Sequence, residues 1–311
     1  MGMQRPRKLF DIPLEILELI ILDIDIPQDL PLLGNITECQ WLLPALDQHS
    51  EDVNQLCRFT PNVSSLELDI ERPTDKFLDM LRWCNWSQLA SVRVSNESVI
   101  DSPGLVVLES FFKRHSRITT LALWMVTADG SPSQPWTAEI LPNLRKLAIN
   151  SSHDIRDVIA LPLARQLTHV WGVFSDATIS HLQEMKSLTH CVAHIDMELC
   201  DFLKNVPSDI HKLIMEFTNW EDYFQWIAGL RLLHKCTRLT HLGGINYISP
   251  STVTPLIIHE LRQVPQLIQV AALMDDSLIY GSGINLFFTE GANGMTFYPT
   301  MDFRLIIHLS L

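Results

Sequence analysis

Val63-Ser64-Ser65-Leu66-Glu67-Leu68 is the stretch on which the reading of the fold turns. Its form is an apolar residue, two polar or small ones, an apolar residue, one spacer, then an apolar or small residue. The form returns at Leu89 to Val94, Ile118 to Leu123 and Leu144 to Ile149, with weaker copies from Leu167, Leu188, Ile210, Leu239 and Leu267. Anchors at 63, 89, 118, 144, 167, 188, 210, 239 and 267 are 26, 29, 26, 23, 21, 22, 29 and 28 residues apart. Self-similarity at such a period marks a stacked repeat. Side chains alternate along a strand, so the fourth and sixth residues share one face and point to a core.

That core needs a cover, and the intervening segments have helical periodicity. Phe77, Leu78, Leu81 and Trp83 follow one copy, and Leu105, Leu108, Phe111 and Phe112 the next. Ile179, Leu182 and Met185 form a further set, as do Met197, Leu199, Phe202 and Leu203. Trp220 to Cys236 is longer and carries Phe224, Ile227, Leu230 and Leu233. Spacings of three and four put apolar groups on one stripe of a helix. A strand and a helix, repeated about nine times, stack into a curved parallel sheet lined outside by helices. An ordinary α/β domain with parallel strands is the other reading.

The unit and its intervals resemble leucine-rich repeats. The expected fold is therefore an α/β, leucine-rich-repeat-like solenoid with a short α-helical N-terminal segment. The copies are degenerate: Gly172, Ala193, Gly244 and Ala272 replace a large sixth residue, and a strand-borne asparagine is absent from most copies, apart from Asn150 just past one strand. The apolar segment from Asp275 to Leu311 is read as a C-terminal cap, and the glycine-rich stretch from Gly281 to Gly294 as a loop before the last strand.

Leu9 to Ile26 form a different kind of segment. Asp11 caps a helix, and Pro13 is tolerated in a first turn, where its missing N–H costs nothing. Only Glu15 and Glu18 are polar between Leu14 and Leu22, so this helix needs cover on two sides. Ile12-Pro13-Leu14-Glu15-Ile16-Leu17-Glu18-Leu19-Ile20 resembles the opening of an F-box. The resemblance implies docking on a Skp-type adaptor and, through it, a cullin ligase core. Pro13, Leu14, Ile16 and Ile20 would be the adaptor contacts. It thus implies a substrate-receptor subunit of a ubiquitin ligase; the alternatives are a repeat scaffold with no ligase link, in which this helix only caps the first repeat, and an enzyme of unrecognised type. Residues 9–57 form the F-box-like part and 58–311 the repeat domain, with the cap from about 275. Pro27-Gln28-Asp29-Leu30-Pro31 breaks the box early, and Trp41, Leu42, Leu43 and Leu46 supply a second helix that fits the family pattern poorly.

Composition narrows the partners. A formal charge of −13 with scattered Lys and Arg argues against nucleic acid. No apolar run approaches the roughly 20 residues of a membrane span. The six cysteines show no CxxC spacing, and the basic start is not followed by an uninterrupted apolar region. Five Asn-x-Ser/Thr sequons, at Asn35, Asn62, Asn85, Asn96 and Asn150, carry weight only in a secreted chain. The expectation is an intracellular protein, cytoplasmic or nuclear, with reduced thiols and no cofactor. No nucleotide-binding, zinc-protease or serine-hydrolase motif occurs, so no enzyme activity is expected.

The register also defines a binding face. Third, fifth and seventh residues of each copy point away from the core. The expected contacts with a protein substrate on this concave face are Trp124, Lys146, His169, Trp171, His190, His194, Lys212 and His241. Tryptophan dominates interface hot spots, which favours Trp124 and Trp171. The tripeptide Leu-Thr-His recurs at Leu167, Leu188 and Leu239. His169, His190 and His194 suggest a metal site only faintly, since a planar polar side chain also suits an exposed strand row, and no metal is expected.

Overall fold

The computed structural model describes residues 38–42, 60–70, 75–100, 102–127, 135–149, 153–217, 223–243, 260–261, 263–264, 266–267, 269–273, 285–291 and 294–300. The chain divides into two compact units, Met1–Gln166 and Leu167–Leu311.

The first unit contains β1 (Glu38–Leu42), β2 (Ser65–Ile70), α1 (Asp75–Trp83), β3 (Ser91–Ile100), α2 (Ser102–Arg114), β4 (Thr120–Thr127), β5 (Lys146–Ile149), α3 (Ile155–Val158) and α4 (Leu161–Ala164). Its strands pair in chain order, all parallel. The second unit contains β6 (His169–Ser175), α5 (Ile179–Glu184), β7 (His190–Asp196), α6 (Leu199–Asn205), β8 (Lys212–Phe217), α7 (Tyr223–Leu232), β9 (His241–Gly243), β10 (Gln269–Leu273), β11 (Asn285–Gly291) and β12 (Gly294–Thr300). Here β6 to β10 pair in chain order and parallel, and β11 and β12 follow antiparallel. Strand order, parallel register and strand–helix alternation define an α/β, leucine-rich-repeat-like fold in each unit.

The repeat is written in hydrogen bonds as well as in side chains. The anchors Val63, Leu89, Ile118, Leu144, Leu188, Ile210 and Leu239 are fully buried. Each ends a tight turn by donating its N–H to the carbonyl three residues back, as Leu89 does to Trp86 at 3.1 Å and Leu188 to Met185 at 3.0 Å. The next residue's carbonyl accepts two N–H groups from the following copy. Ser64 accepts from Ala90 and Ser91, Ala90 from Thr119 and Thr120, and Thr189 from His211 and Lys212. This bond pattern needs no particular side chain, so it survives where the asparagine is missing.

Fourth and sixth residues form the core, including Leu66, Leu68, Val92, Val94, Leu121, Leu123, Leu147, Ile149, Val170, Cys191, Leu213 and Met215. Where Gly172 and Ala193 shrink the sixth position, Phe174 and Phe202 are fully buried and meet edge to face, with centroids 5.4 Å apart. That contact sets α6 against the core face of β6. In the first unit Trp86, Phe111 and Phe112 are buried, and His115 closes α2 beneath them. Its ring lies 4.2 Å from that of Phe111. Trp83 falls outside the apolar stripe and is 74% exposed. It is two residues from Leu81, about 200° around the helix.

Three expectations are corrected. Trp41 and Leu42, read as part of a second helix, belong to strand β1, where Cys39 and Trp41 take the register positions of Leu66 and Leu68. The helical spacing of Leu42, Leu43 and Leu46 competed with a five-residue strand, and pairing with β2 satisfies that backbone. Residues 285–291, read as loop, form β11; its pairing with both β10 and β12 outweighs the nearby glycines. Cys84 is disulfide-bonded rather than a reduced thiol, and its partner is not among the described side chains. Cys191, Cys200 and Cys236 form no disulfide. A pairing made through space leaves no mark in sequence spacing. The F-box-like segment at residues 9–26, with Pro13, Leu14, Ile16 and Ile20, lies outside the described residues.

Candidate interaction face

Burial in β7 alternates strictly from His190 to Ile195, with Cys191, Ala193 and Ile195 inside and His190, Val192 and His194 on the opposite face, half-buried. The register extends this face across the second unit. One row runs His169, His190, Lys212, His241 and Gln269. The next runs Trp171, Val192, Ile214 and Gly243, and a third Val173, His194 and Glu216. The expected contacts His169, Trp171, His190, His194, Lys212 and His241 thus share one sheet face. Adjacent members of a row are about 4.8 Å apart along the backbone.

Trp124 and Lys146 stand on the corresponding face of the first unit, both half-buried. Its rows run Ser65, Ser91, Thr120, Lys146 and then Glu67, Arg93, Ala122, Ala148. The Arg93 guanidinium lies 6.0 Å from the Trp124 ring centroid and 3.3 Å from Glu67. An ion pair this exposed contributes at most about 1 kcal/mol. It orients the arginine over the indole more than it stabilises the unit.

The histidine row is held by threonines that sequence reading assigned no role. The Thr189 hydroxyl donates to the Thr168 carbonyl at 3.0 Å, and the Thr240 hydroxyl to the His211 carbonyl at 3.1 Å. A hydroxyl has one proton to give. Its oxygen therefore accepts from the neighbouring imidazole, His190 Nδ1 at 3.0 Å and His241 Nδ1 at 2.8 Å. The same contact joins Thr168 and His169 at 2.9 Å. In the neutral state His190 and His241 thus carry the proton on Nδ1 and the lone pair on Nε2. The signal was present in sequence as the recurring Leu-Thr-His tripeptide.

The His169 and His190 rings stack with centroids 4.2 Å apart and planes 5° apart. The His211 ring is 6.3 Å from that of His190. Burial lowers the pKa of Lys212. Burial, and secondarily the Lys212 charge, lowers that of His241. Stacked rings aim their nitrogen lone pairs in parallel, whereas a shared metal needs them to converge. His194 stands four residues beyond His190, roughly 13 Å along the strand, too far to join such a set. Among the described residues no group of three or more His, Cys, Asp or Glu is arranged to hold a metal ion. No helix among them is long and apolar enough to cross a membrane.

No protein-family model matches the chain, and no curated protein matches it. Among solved structures it is similar to an internalin from Listeria monocytogenes, at 14% identity, with 69% of each chain covered and a TM-score of 0.33. Likeness at that level carries no inference, and the repeat class rests on the strand order and register above.

Proposed function

We propose that the chain is a non-catalytic protein-interaction scaffold that holds a protein partner on its outward strand faces. One observation carries this reading: Trp171 and Val192 lie side by side, half-buried, beside a row of His169, His190, Lys212 and His241, on the face opposite the core. An aromatic anchor with a polar surround is the composition of an interface centre.

The finer reading, a substrate receptor of a ubiquitin ligase, is favoured only by the F-box-like motif from Ile12 to Ile20. In that reading the same face selects the substrate, while Pro13, Leu14, Ile16 and Ile20 hold a Skp-type adaptor.

Peptides selected by display against the full chain test the scaffold reading. Trp171→Ala is expected to weaken the selected peptides about 30-fold or more, the scale of a tryptophan hot spot, with an unchanged circular dichroism spectrum. Selected peptides indifferent to both Trp171→Ala and Trp124→Ala would sink it. In parallel, purified Skp-type adaptor is offered to the full chain and to an Ile16→Asp, Ile20→Asp variant. Binding lost in a folded variant supports the ligase link, because unpaired carboxylates do not bury. No binding by the parent chain removes that link and leaves the scaffold.

A further inference from the structure

The row is basic where the rest of the chain is acidic. The chain carries a formal charge of −13, yet four successive strands of the second unit place His169, His190, Lys212 and His241 side by side. The equivalent row of the first unit holds Ser65, Ser91, Thr120 and Lys146, so the repeat itself does not demand basic residues there. We propose that His190, Lys212 and His241, with His169 stacked on His190, bind carboxylate side chains of an acidic segment of a partner protein, and bind them more tightly as pH falls. This rests on the scaffold reading of the same face and gives its partner a chemistry.

Three features carry the inference. Thr189 and Thr240 hold the Nδ1–H of His190 and His241, so protonation adds its hydrogen at Nε2, which becomes a second donor without moving the ring. Two imidazolium rings stacked at 4.2 Å repel each other, and an anion across their edges offsets that repulsion. Burial already disfavours the charged forms of Lys212 and His241, so a bound carboxylate restores what solvent no longer supplies. Binding therefore takes up protons, and linkage requires affinity to rise as pH drops through the histidine range.

Other ionisable groups lie on or beside these strands. His194 lies on β7 with Asp196 at its end, Glu216 takes the register position of His194 on β8, and the His211 ring lies near His190. β10 contributes the neutral Gln269 to the row. The two acids sit four and six residues along the strands from the row, roughly 13 and 20 Å away.

The test is fluorescence anisotropy with the full chain and a rhodamine-labelled peptide of alternating Glu and Ala, about 12 residues long, enough to cross four strands at their spacing of about 4.8 Å. A Gln-Ala peptide and a single-stranded DNA oligonucleotide are the controls. Circular dichroism monitors folding at each pH. The acidic peptide is expected to bind about tenfold or more tightly near pH 5.5 than near pH 7.5, and the Gln-Ala peptide not to bind. His190→Gln with His241→Gln should abolish the pH dependence, and Lys212→Met should weaken binding at both values. The 15N–1H multiple-bond spectra of neutral His190 and His241 should show the Nδ1-protonated form. Equal affinity at both pH values overturns the inference. So does pH dependence that survives the double histidine variant, which would reflect only relief of the chain's overall negative charge. DNA bound as well as the peptide also overturns it. Neutral display-selected peptides that depend on Trp171, with no preference for acidic ones, overturn this inference while the scaffold reading stands. Selected peptides indifferent to both Trp171→Ala and Trp124→Ala overturn the scaffold reading itself.

Discussion

His115→Leu is expected to lower the unfolding free energy by about 2–4 kcal/mol near pH 7.5, and to lessen the loss of stability on acidification. His115 is buried at the C-terminus of α2. Nδ1–H donates to the Phe111 carbonyl at 2.7 Å, and Nε2 accepts the Trp86 backbone N–H at 3.0 Å. One partner can only accept and the other can only donate, so the ring is neutral with its proton on Nδ1. Leucine keeps most of the volume but takes away the His115 Nε2 acceptor of the buried Trp86 N–H, and this sets most of the cost.

The acid arm follows from the same geometry. Burial holds the His115 pKa below the ordinary histidine value; the Phe111 carbonyl opposes this and the Arg114 charge adds to it. The unfolded chain takes up the proton first, near pH 6.5. The contribution of His115 is thus complete above that value. It declines as pH falls below it, until pH passes the folded pKa, where the loss levels off. Chemical denaturation at a series of pH values should show a steeper decline in the parent than in His115→Leu, where His241, its pKa also lowered by burial, still contributes. Parallel pH profiles would mean that the ring is not held neutral.

Phe202→Ala should cost about 3–5 kcal/mol, read as a lowered denaturation midpoint with an unchanged slope. Phe202 is fully buried on α6 against Phe174, in the part of the core where Gly172 and Ala193 supply little volume. The surroundings have little slack to refill the space. α7 already approaches α6 closely at Gly229, where an added Cβ would lie 3.0 Å from Leu199 Cδ2 and 3.0 Å from Leu203 Cδ1. A loss under about 1 kcal/mol would show that the second unit collapses around the cavity.

Gly172 and Ala193 show where periodicity alone misleads. They read as decay of the repeat, yet β6 and β7 keep unbroken register through both. The large groups there are Phe174, two places past the sixth position on the same strand face, and Phe202 on α6, and only the fold shows that they meet. The threonine contacts are the converse case. Leu-Thr-His was visible three times over, but its meaning depends on the carbonyl of the preceding copy, which lies 21 residues from Thr189 and 29 from Thr240.

The amino-acid sequence by itself marked the repeat, because apolar anchors every 21 to 29 residues are buried together when copy stacks on copy. It also determined which strand residues face outward, since alternation is local. The tertiary structure alone decided that Glu38–Leu42 joins the sheet as β1, because a strand that short is settled by its partner's free hydrogen-bonding edge. It alone decided the neutral state of His115 and the proton positions of His190 and His241. Those depend on single donors and acceptors brought within about 3 Å from other copies of the repeat, and no residue spacing records such an approach.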